Sequence, residues 1–169
     1  FENSKIESIS KFGTRAIFEN FTDVSKADIG GFIENYVKKI SNYFSSSKMK
    51  VVFHSSLKVP FEMRFRPLDI SIIIDNMISN SKKAEASLLS IDLIPVSDKS
   101  INLVFKDNGK GLSKTIKDTH VIFEKGFSTT RSTGLGLYHV KNLIDEHKWN
   151  ISVNTKTQKG IEFIITLKK

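Results

Sequence analysis

Residues 67–84 read PLDISIIIDNMISNSKKA, and two patterns run through this stretch at once. Ile70, Ile73, Ile74, Met77 and Ile78 keep the i, i+3, i+4, i+7, i+8 spacing of a buried helical stripe. Pro67 suits the first turn, where no partner is waiting for an N–H, so the spacing predicts a helix over 67–86. Beside that stripe stand Asn76, Asn80 and Lys83. At about 100° per residue, Asn80 lies roughly 40° and Lys83 roughly −20° from Asn76, so two amides and one ammonium share a narrow strip. Asp75 lies about 100° from the strip and points elsewhere. Amide oxygens are hard, neutral ligands suited to Mg²⁺ that already carries waters and phosphate oxygens. A lysine one turn on supplies a point charge for a terminal phosphate. Taken alone, the strip reads as a plain polar face, because Asn is common on exposed helices.

Downstream, residues 88–94 (LLSIDLI) and 101–106 (INLVFK) read as two strands joined by a turn near Asp98. DNGKGL follows at 107–112. Its glycines, Gly109 and Gly111, allow a close approach that a Cβ would block. The carboxylate of Asp107 can accept a hydrogen bond from an exocyclic amine such as that of adenine. By itself, Asp-Asn-Gly is turn chemistry. Residues 107–132 lack periodicity and form a loop, of a length that is often functional in a compact domain. TGLGL at 133–137 then opens a helix over about 134–147. A helix N-terminus offers free N–H donors, and glycines let phosphates reach them. Residues 150–155 and 161–167 (IEFIITL) read as closing strands.

Upstream, Ser25 is placed to cap a helix through Ile29, Ile33, Tyr36, Val37 and Ile40. Residues 49–54 (MKVVFH) read as a strand, with a second short one at 61–65, and Ser45-Ser46-Ser47 as a loop. Strands segregated from helices on one side predict a two-layer α/β sandwich. No GxxxxGK[ST] is present, so there is no P-loop, and Gly134-Leu135-Gly136 lacks the third glycine of the dinucleotide fingerprint.

The bulk properties fit one domain. A chain of 169 residues with 39% hydrophobic and 26% charged residues can bury a real core. No apolar run approaches the roughly 18–20 residues of a membrane span. The chain opens with Phe1, and Phe1–Phe12 has no signal-peptide layout, so it reads as an excised or processed piece of a longer protein. The absence of cysteine excludes disulfides, zinc–thiolate sites and thiol nucleophiles. It also fits a reducing compartment, and a cytoplasmic location without membrane contact from this segment is expected. The net charge of +8 is spread along the chain with no lysine cluster longer than a pair. It therefore reads as a solvated basic surface in preference to a nucleic-acid interface.

In order and spacing, these motifs resemble the ATPase superfamily of histidine kinases, gyrase, heat-shock chaperones and mismatch-repair ATPases. IIIDNMISNSKKA (72–84) is similar to its asparagine box, DNGKGL to its first glycine box, IFEKGFSTT (122–130) to its phenylalanine box, and TGLGLYHVKNLIDEH (133–147) to its second glycine box. KGIEFIITL (159–167) is similar to its closing hairpin. The resemblance covers residues 67–169, with 25–66 compatible with the preceding helix and strands. It implies the Bergerat-type fold, a mixed sheet backed by helices, with Mg-ATP between them under a flexible lid at 112–132. Phe123 and Phe127 would anchor the lid. The implied nucleotide-binding set is Asn76, Asn80, Lys83, Asp107, Gly109, Gly111, Ser128, Thr129, Thr133, Gly134, Leu135 and Gly136. Asn80 would hold Mg²⁺, Asp107 would read adenine, and Asn76 and Lys83 would act at the phosphates as catalytic residues.

Position 76 separates the subfamilies. Members that hydrolyse ATP with water are similar to one another in having glutamate there as general base. Asn76 is the kinase-like choice, because an amide cannot accept a proton at neutral pH, which favours transfer to another nucleophile. Three positions depart from the kinase pattern. Thr130 stands where a lysine is common, with Arg131 beside it. Ser81 replaces the usual alanine, which counts as a mild change. Ala84 stands where many kinases have a tyrosine that stacks on adenine.

The chain's four histidines, His54, His120, His139 and His147, read as strand, lid and helix positions outside any acceptor-like motif. A phosphoacceptor histidine is therefore expected upstream of Phe1 or on another chain, with a response regulator as a further partner. Residues 1–24 are compatible with the end of an upstream dimerisation helix or with an unrelated segment, and 25–169 with the ATP-binding domain. Two classes stay open: a protein histidine kinase, and a nucleotide-operated switch attached to another effector domain.

Overall fold

The computed structural model describes residues 23–44, 48–128, 133–157 and 159–169, with the side chains of 42–44 outside that description. Along the chain run β1 (Ser25–Asp28), α1 (Ile29–Phe44), β2 (Lys50–Ser55), β3 (Glu62–Phe65), α2 (Pro67–Lys83), β4 (Leu88–Ser97) and β5 (Ser100–Asp107). A 3-10 turn at Thr119–Phe123, α3 (Gly136–Glu146), β6 (Asn150–Asn154) and β7 (Glu162–Lys168) complete it. Five strands form one sheet in the order β2-β4-β5-β7-β6, parallel between β2 and β4 and antiparallel elsewhere. The mixed sheet with helices on one face is the expected two-layer α/β sandwich.

Alternation along the central strands builds the core. Leu89, Ile91 and Leu93 of β4, Ile101, Leu103 and Phe105 of β5, and Phe163, Ile165 and Leu167 of β7 are buried on one face. Against them pack Ile29, Ile33 and Val37 of α1, the stripe Ile70, Ile73, Ile74, Met77 and Ile78 of α2, and Val140 and Ile144 of α3. Each such side chain contributes about 1.5–3 kcal/mol when fully removed from water. The helical stripe read from 67–84 is therefore the seam that welds α2 to the sheet.

The start of α1 differs from the sequence reading. Ser25 does not cap it; Ser25–Asp28 is a strand that pairs antiparallel with β3, Ser25 opposite Phe65. Asp28 is the cap. Its Oδ1 accepts from the Gly30 N–H and its Oδ2 from the Gly31 N–H, each at 3.1 Å, satisfying two orphan donors of the first turn. Oδ1 also accepts from the Phe61 N–H at 3.1 Å, tying the helix start to the segment before β3. A strand of four residues, SKAD, with one apolar side chain is too short to be told from a helix entry by pattern.

Two helix ends share one device. After α2, the Glu85 N–H donates to Lys82 O and the Ala86 N–H to Ser81 O, both at 3.0 Å. After α3, the Lys148 N–H donates to Asp145 O at 3.0 Å and the Trp149 N–H to Ile144 O at 2.9 Å. Both are Schellman closures, with Glu85 (φ 57°) and Lys148 (φ 56°) in the left-handed position where glycine is usual. This places the end of α2 at Lys83, three residues short of the expected 86. β4 runs past the expected 94 to Ser97, through a register shift between Pro95 and Ser97. Beyond Leu93 it has only β5 as a neighbour, so Pro95 occupies an edge where its missing N–H is tolerated.

Candidate functional site

The α2 helix, the end of β5, the loop after it and the start of α3 surround a cavity of about 450 Å³. Its lining includes Asn80, Lys83, Ala84, Glu85, Asp107, Lys110, Gly111, Leu112, Ser113, Ile122, Phe127, Ser128, Gly134, Gly136, Leu137, Ile161 and Phe163. Seven residues of the expected set thus share one enclosure, namely Asn80, Lys83, Asp107, Gly111, Ser128, Gly134 and Gly136. Asn76, Gly109, Thr133 and Leu135 are not among the lining residues. Thr129, with Thr130 and Arg131, lies outside the described residues.

At the base of the cavity, Asp107 closes β5 and is 5% exposed. Its Oδ1 accepts from the Gly109 N–H at 2.9 Å, and its Oδ2 from the Ser81 hydroxyl at 2.9 Å. Gly109 thus serves the carboxylate from behind. It packs on the end of α2, where a Cβ would fall 2.6 Å from Ala84 O. Ser81 was expected to be a mild departure, yet it is 3% exposed and joined directly to Asp107. No local pattern announces that bond, which joins residues 26 apart on different elements.

The other wall is α2 facing α3. Asn76 folds its Nδ2 back onto Ile72 O at 2.8 Å and turns its Oδ1 toward Gly136, where a Cβ would sit 2.8 Å away. Asn80 carries a buried Nδ2 with no hydrogen-bond partner among the described residues. A buried amide N–H donor on a cavity wall is placed to serve a hydrogen-bond acceptor. Among the described residues α3, which begins at Gly136, has no side-chain cap and no acidic residue in its first turn, an arrangement compatible with an anion at its N-terminus. Asp75 lies away from the strip, as expected, accepting from the Tyr36 hydroxyl at 2.9 Å on the α1 side. Burial, and then the Asp75 charge, push the Tyr36 hydroxyl's pKa far above its ordinary value.

Of the expected lid anchors, Phe123 is buried in the core, while Phe127 packs against that core and also lines the cavity. The Gly126 N–H donates to Gly134 O at 3.2 Å. At the mouth, Lys110 pairs with Glu85 in an exposed ion pair. None of the four histidines lines the cavity. His54 pairs with Asp92 at 3.1 Å, and His120 sits in the 3-10 turn. His139 lies in α3, and His147 pairs with buried Asp69 at 2.7 Å while stacking on Trp149.

Sequence reading gave no role to Gly160, which packs behind Asp107. In the β6–β7 turn (φ 81°), it lies so close to β5 that a Cβ would come within 1.9 Å of Asp107 O. Lys-Gly between two strands signals only a hairpin turn.

A family model described as "Histidine kinase-, DNA gyrase B-, and HSP90-like ATPase" matches residues 66–169. The chain belongs to this family. Among curated relatives, the sensor histidine kinase GlnK of Bacillus subtilis (strain 168) is 32% identical over 103 residues, covering 56% of this chain and 24% of GlnK. The chain thus spans about a quarter of that relative's length. Among solved structures, the catalytic domain of histidine kinase ThkA superposes with a TM-score of 0.73 at 16% identity, covering 88% of this chain and 97% of ThkA's. Full-length ShkA in complex with AMPPNP gives 0.73 at 20% identity, covering 96% of this chain and 34% of ShkA's. At such identities the structural likeness speaks for the fold. As an ATP-binding domain of the histidine-kinase type, the molecule has its glycine boxes and asparagine helix around one cavity. No helix among the described residues is long and apolar enough to cross a membrane.

Proposed function

We propose that this domain binds Mg-ATP in the 450 Å³ cavity and acts as the catalytic domain of a sensor-type histidine kinase, passing the terminal phosphate to a histidine outside this segment. The observation that carries the reading is the polarity of the cavity. Its lining brings together the buried carboxylate of Asp107, the glycines Gly134 and Gly136 at the start of α3, and the amide of Asn80, whose buried Nδ2 has no partner among the described residues. A volume in the range of about 300–1,000 Å³ suits a nucleotide-sized ligand.

Asp107 orients the base by accepting from the adenine amine, while the α3 N-terminus with Gly134 and Gly136 receives phosphate oxygens. Asn80 fits a hard cation through its amide oxygen. Among the described residues no cluster of three His, Cys, Asp or Glu forms an all-protein cage, so the cation would share its coordination with the nucleotide's phosphates. Bound there, Mg²⁺ would neutralise charge on those phosphates. Lys83 adds a positive charge at the lining, and Ser128 closes from the lid. Asn76 backs the start of α3 without supplying a base, and Asp75 is held on the α1 side by Tyr36, which supports transfer over hydrolysis.

The partners that follow are a phosphoacceptor histidine domain, upstream or on another chain, and a response regulator, in the cytoplasm. Calorimetric titration of this chain with a non-hydrolysable ATP analogue, with and without Mg²⁺, tests the site. Saturable, Mg²⁺-dependent binding is expected, and no heat at millimolar analogue refutes it. Transfer is tested by incubating the full-length parent protein with γ-labelled ATP. Acid-labile, base-stable label supports histidine phosphorylation, whereas release of free phosphate alone supports a nucleotide-operated switch.

A further inference from the structure

Ser81 stands behind the cavity wall without lining it. At 3% exposure it donates its hydroxyl proton to Oδ2 of Asp107, and the Gly109 N–H donates to Oδ1. A carboxylate gripped on both oxygens cannot turn about its last bond without losing a charge-assisted hydrogen bond, each stronger than a neutral one. The remaining lone pairs are therefore presented to the cavity in one direction.

From this geometry we infer that Ser81 is a positioning residue that sets nucleobase selectivity, by locking the Asp107 carboxylate against rotation. The inference rests on the nucleotide-binding reading above. A base presenting an amine to that carboxylate completes a hydrogen bond. A base presenting a carbonyl at the same point, as guanine does, sets acceptor against acceptor in a buried place. Discrimination of this kind depends on repulsion as much as on attraction. A carboxylate free to rotate would spend part of its time with its oxygens turned away from the amine, so the lock and not the charge alone creates the preference for adenine. Without the Asp107 partner, a serine on a helix bonds its own preceding turn. The observed bond across to β5 takes the place of that local alternative.

The test is calorimetric titration of this chain and its Ser81→Ala variant with non-hydrolysable analogues of ATP and of GTP, in Mg²⁺. Ser81→Ala is expected to weaken the adenine analogue about tenfold while leaving the guanine analogue within about twofold, so the preference shrinks about tenfold. In an Asp107→Asn background, Ser81→Ala should cost nothing further for adenine, since the group it positions has gone. Unchanged adenine affinity, or equal weakening of both analogues, overturns the assignment, the second result marking Ser81 as general scaffold. An unaltered chain that binds neither analogue refutes the nucleotide reading itself and the assignment with it. If Ser81→Ala does not fold, Ser81→Cys, similar in size with a weak donor, carries the test. It should lower the adenine preference, and an unchanged preference overturns the proposal.

Discussion

Gly160 and Gly126 have nearly the same backbone conformation, φ 81° and 83°, but different surroundings. Replacing either with alanine places an L-residue in the left-handed region, at about 1–2 kcal/mol. At Gly126 nothing among the described residues lies within 4 Å of the new Cβ, so that cost is the whole expected effect. At Gly160 the Cβ would lie 1.9 Å from Asp107 O, 2.6 Å from its carbonyl carbon and 2.7 Å from its Oδ1. These are mainly backbone atoms, clamped in place by the Asp107 N–H donating to Ile161 O at 3.0 Å, so no side chain can swing away. Overpacking of this kind adds about 1–3 kcal/mol. The total for Gly160→Ala is about 2–5 kcal/mol, against a domain stability of about 5–15 kcal/mol. At about 2–4 °C per kcal/mol for a chain of this size, Tm should fall by about 4–20 °C for Gly160→Ala and about 2–8 °C for Gly126→Ala. Thermal unfolding followed by circular dichroism measures both. Equal losses for the two variants would refute the reasoning, because they would mean that contact with Asp107 contributes nothing beyond the shared φ.

Three further substitutions probe the site and its scaffold. Asp107→Asn exchanges an acceptor for a donor at the cavity base and should weaken an adenine nucleotide analogue at least about tenfold. Equal affinity in calorimetry would remove Asp107 from the site. Asn80→Ala deletes a buried amide nitrogen that has no partner among the described residues and improves helix propensity. The domain should therefore become more stable by about 0.5–1 kcal/mol while losing the Mg²⁺-dependent part of nucleotide binding. A lower Tm, or binding that stays fully Mg²⁺-responsive, would count against that reasoning. Lys148→Gly relieves a lysine held at φ 56° in the closure of α3 and should stabilise by about 0.5–1 kcal/mol. Chemical denaturation with an unchanged m-value but a higher midpoint would show it, and a lower midpoint would mean that the lysine side chain contributes more than its backbone costs.

Periodicity carried most of the fold. The stripe Ile70, Ile73, Ile74, Met77 and Ile78, and the alternation of 161–167, report which atoms must leave water, and burial of those atoms is what folds the domain. Helix geometry puts Asn76, Asn80 and Lys83 on one strip, of which Asn80 and Lys83 line the cavity and Asn76 does not. The same patterns could not find β1, because four residues carry too little periodicity to separate a strand from a helix entry. Nor could they rank Asn76 against Asn80. Both have the right angle on α2, yet one amide bonds back to Ile72 O and the other keeps a buried nitrogen with no partner among the described residues.

What the sequence determined by itself is the set of local interactions: the helix stripe, the turn glycines, the absence of a P-loop, and two amides one turn apart on α2. The tertiary structure alone decided the contacts between elements far apart in the chain. Those contacts are Ser81 against Asp107, Gly160 against the Asp107 backbone, Gly136 against Asn76, and Asp28 rather than Ser25 at the head of α1. A hydrogen bond or steric contact between distant segments has no period to read. It exists only once the hydrophobic core has set the distances at which β5, the β6–β7 turn and the two helices stand.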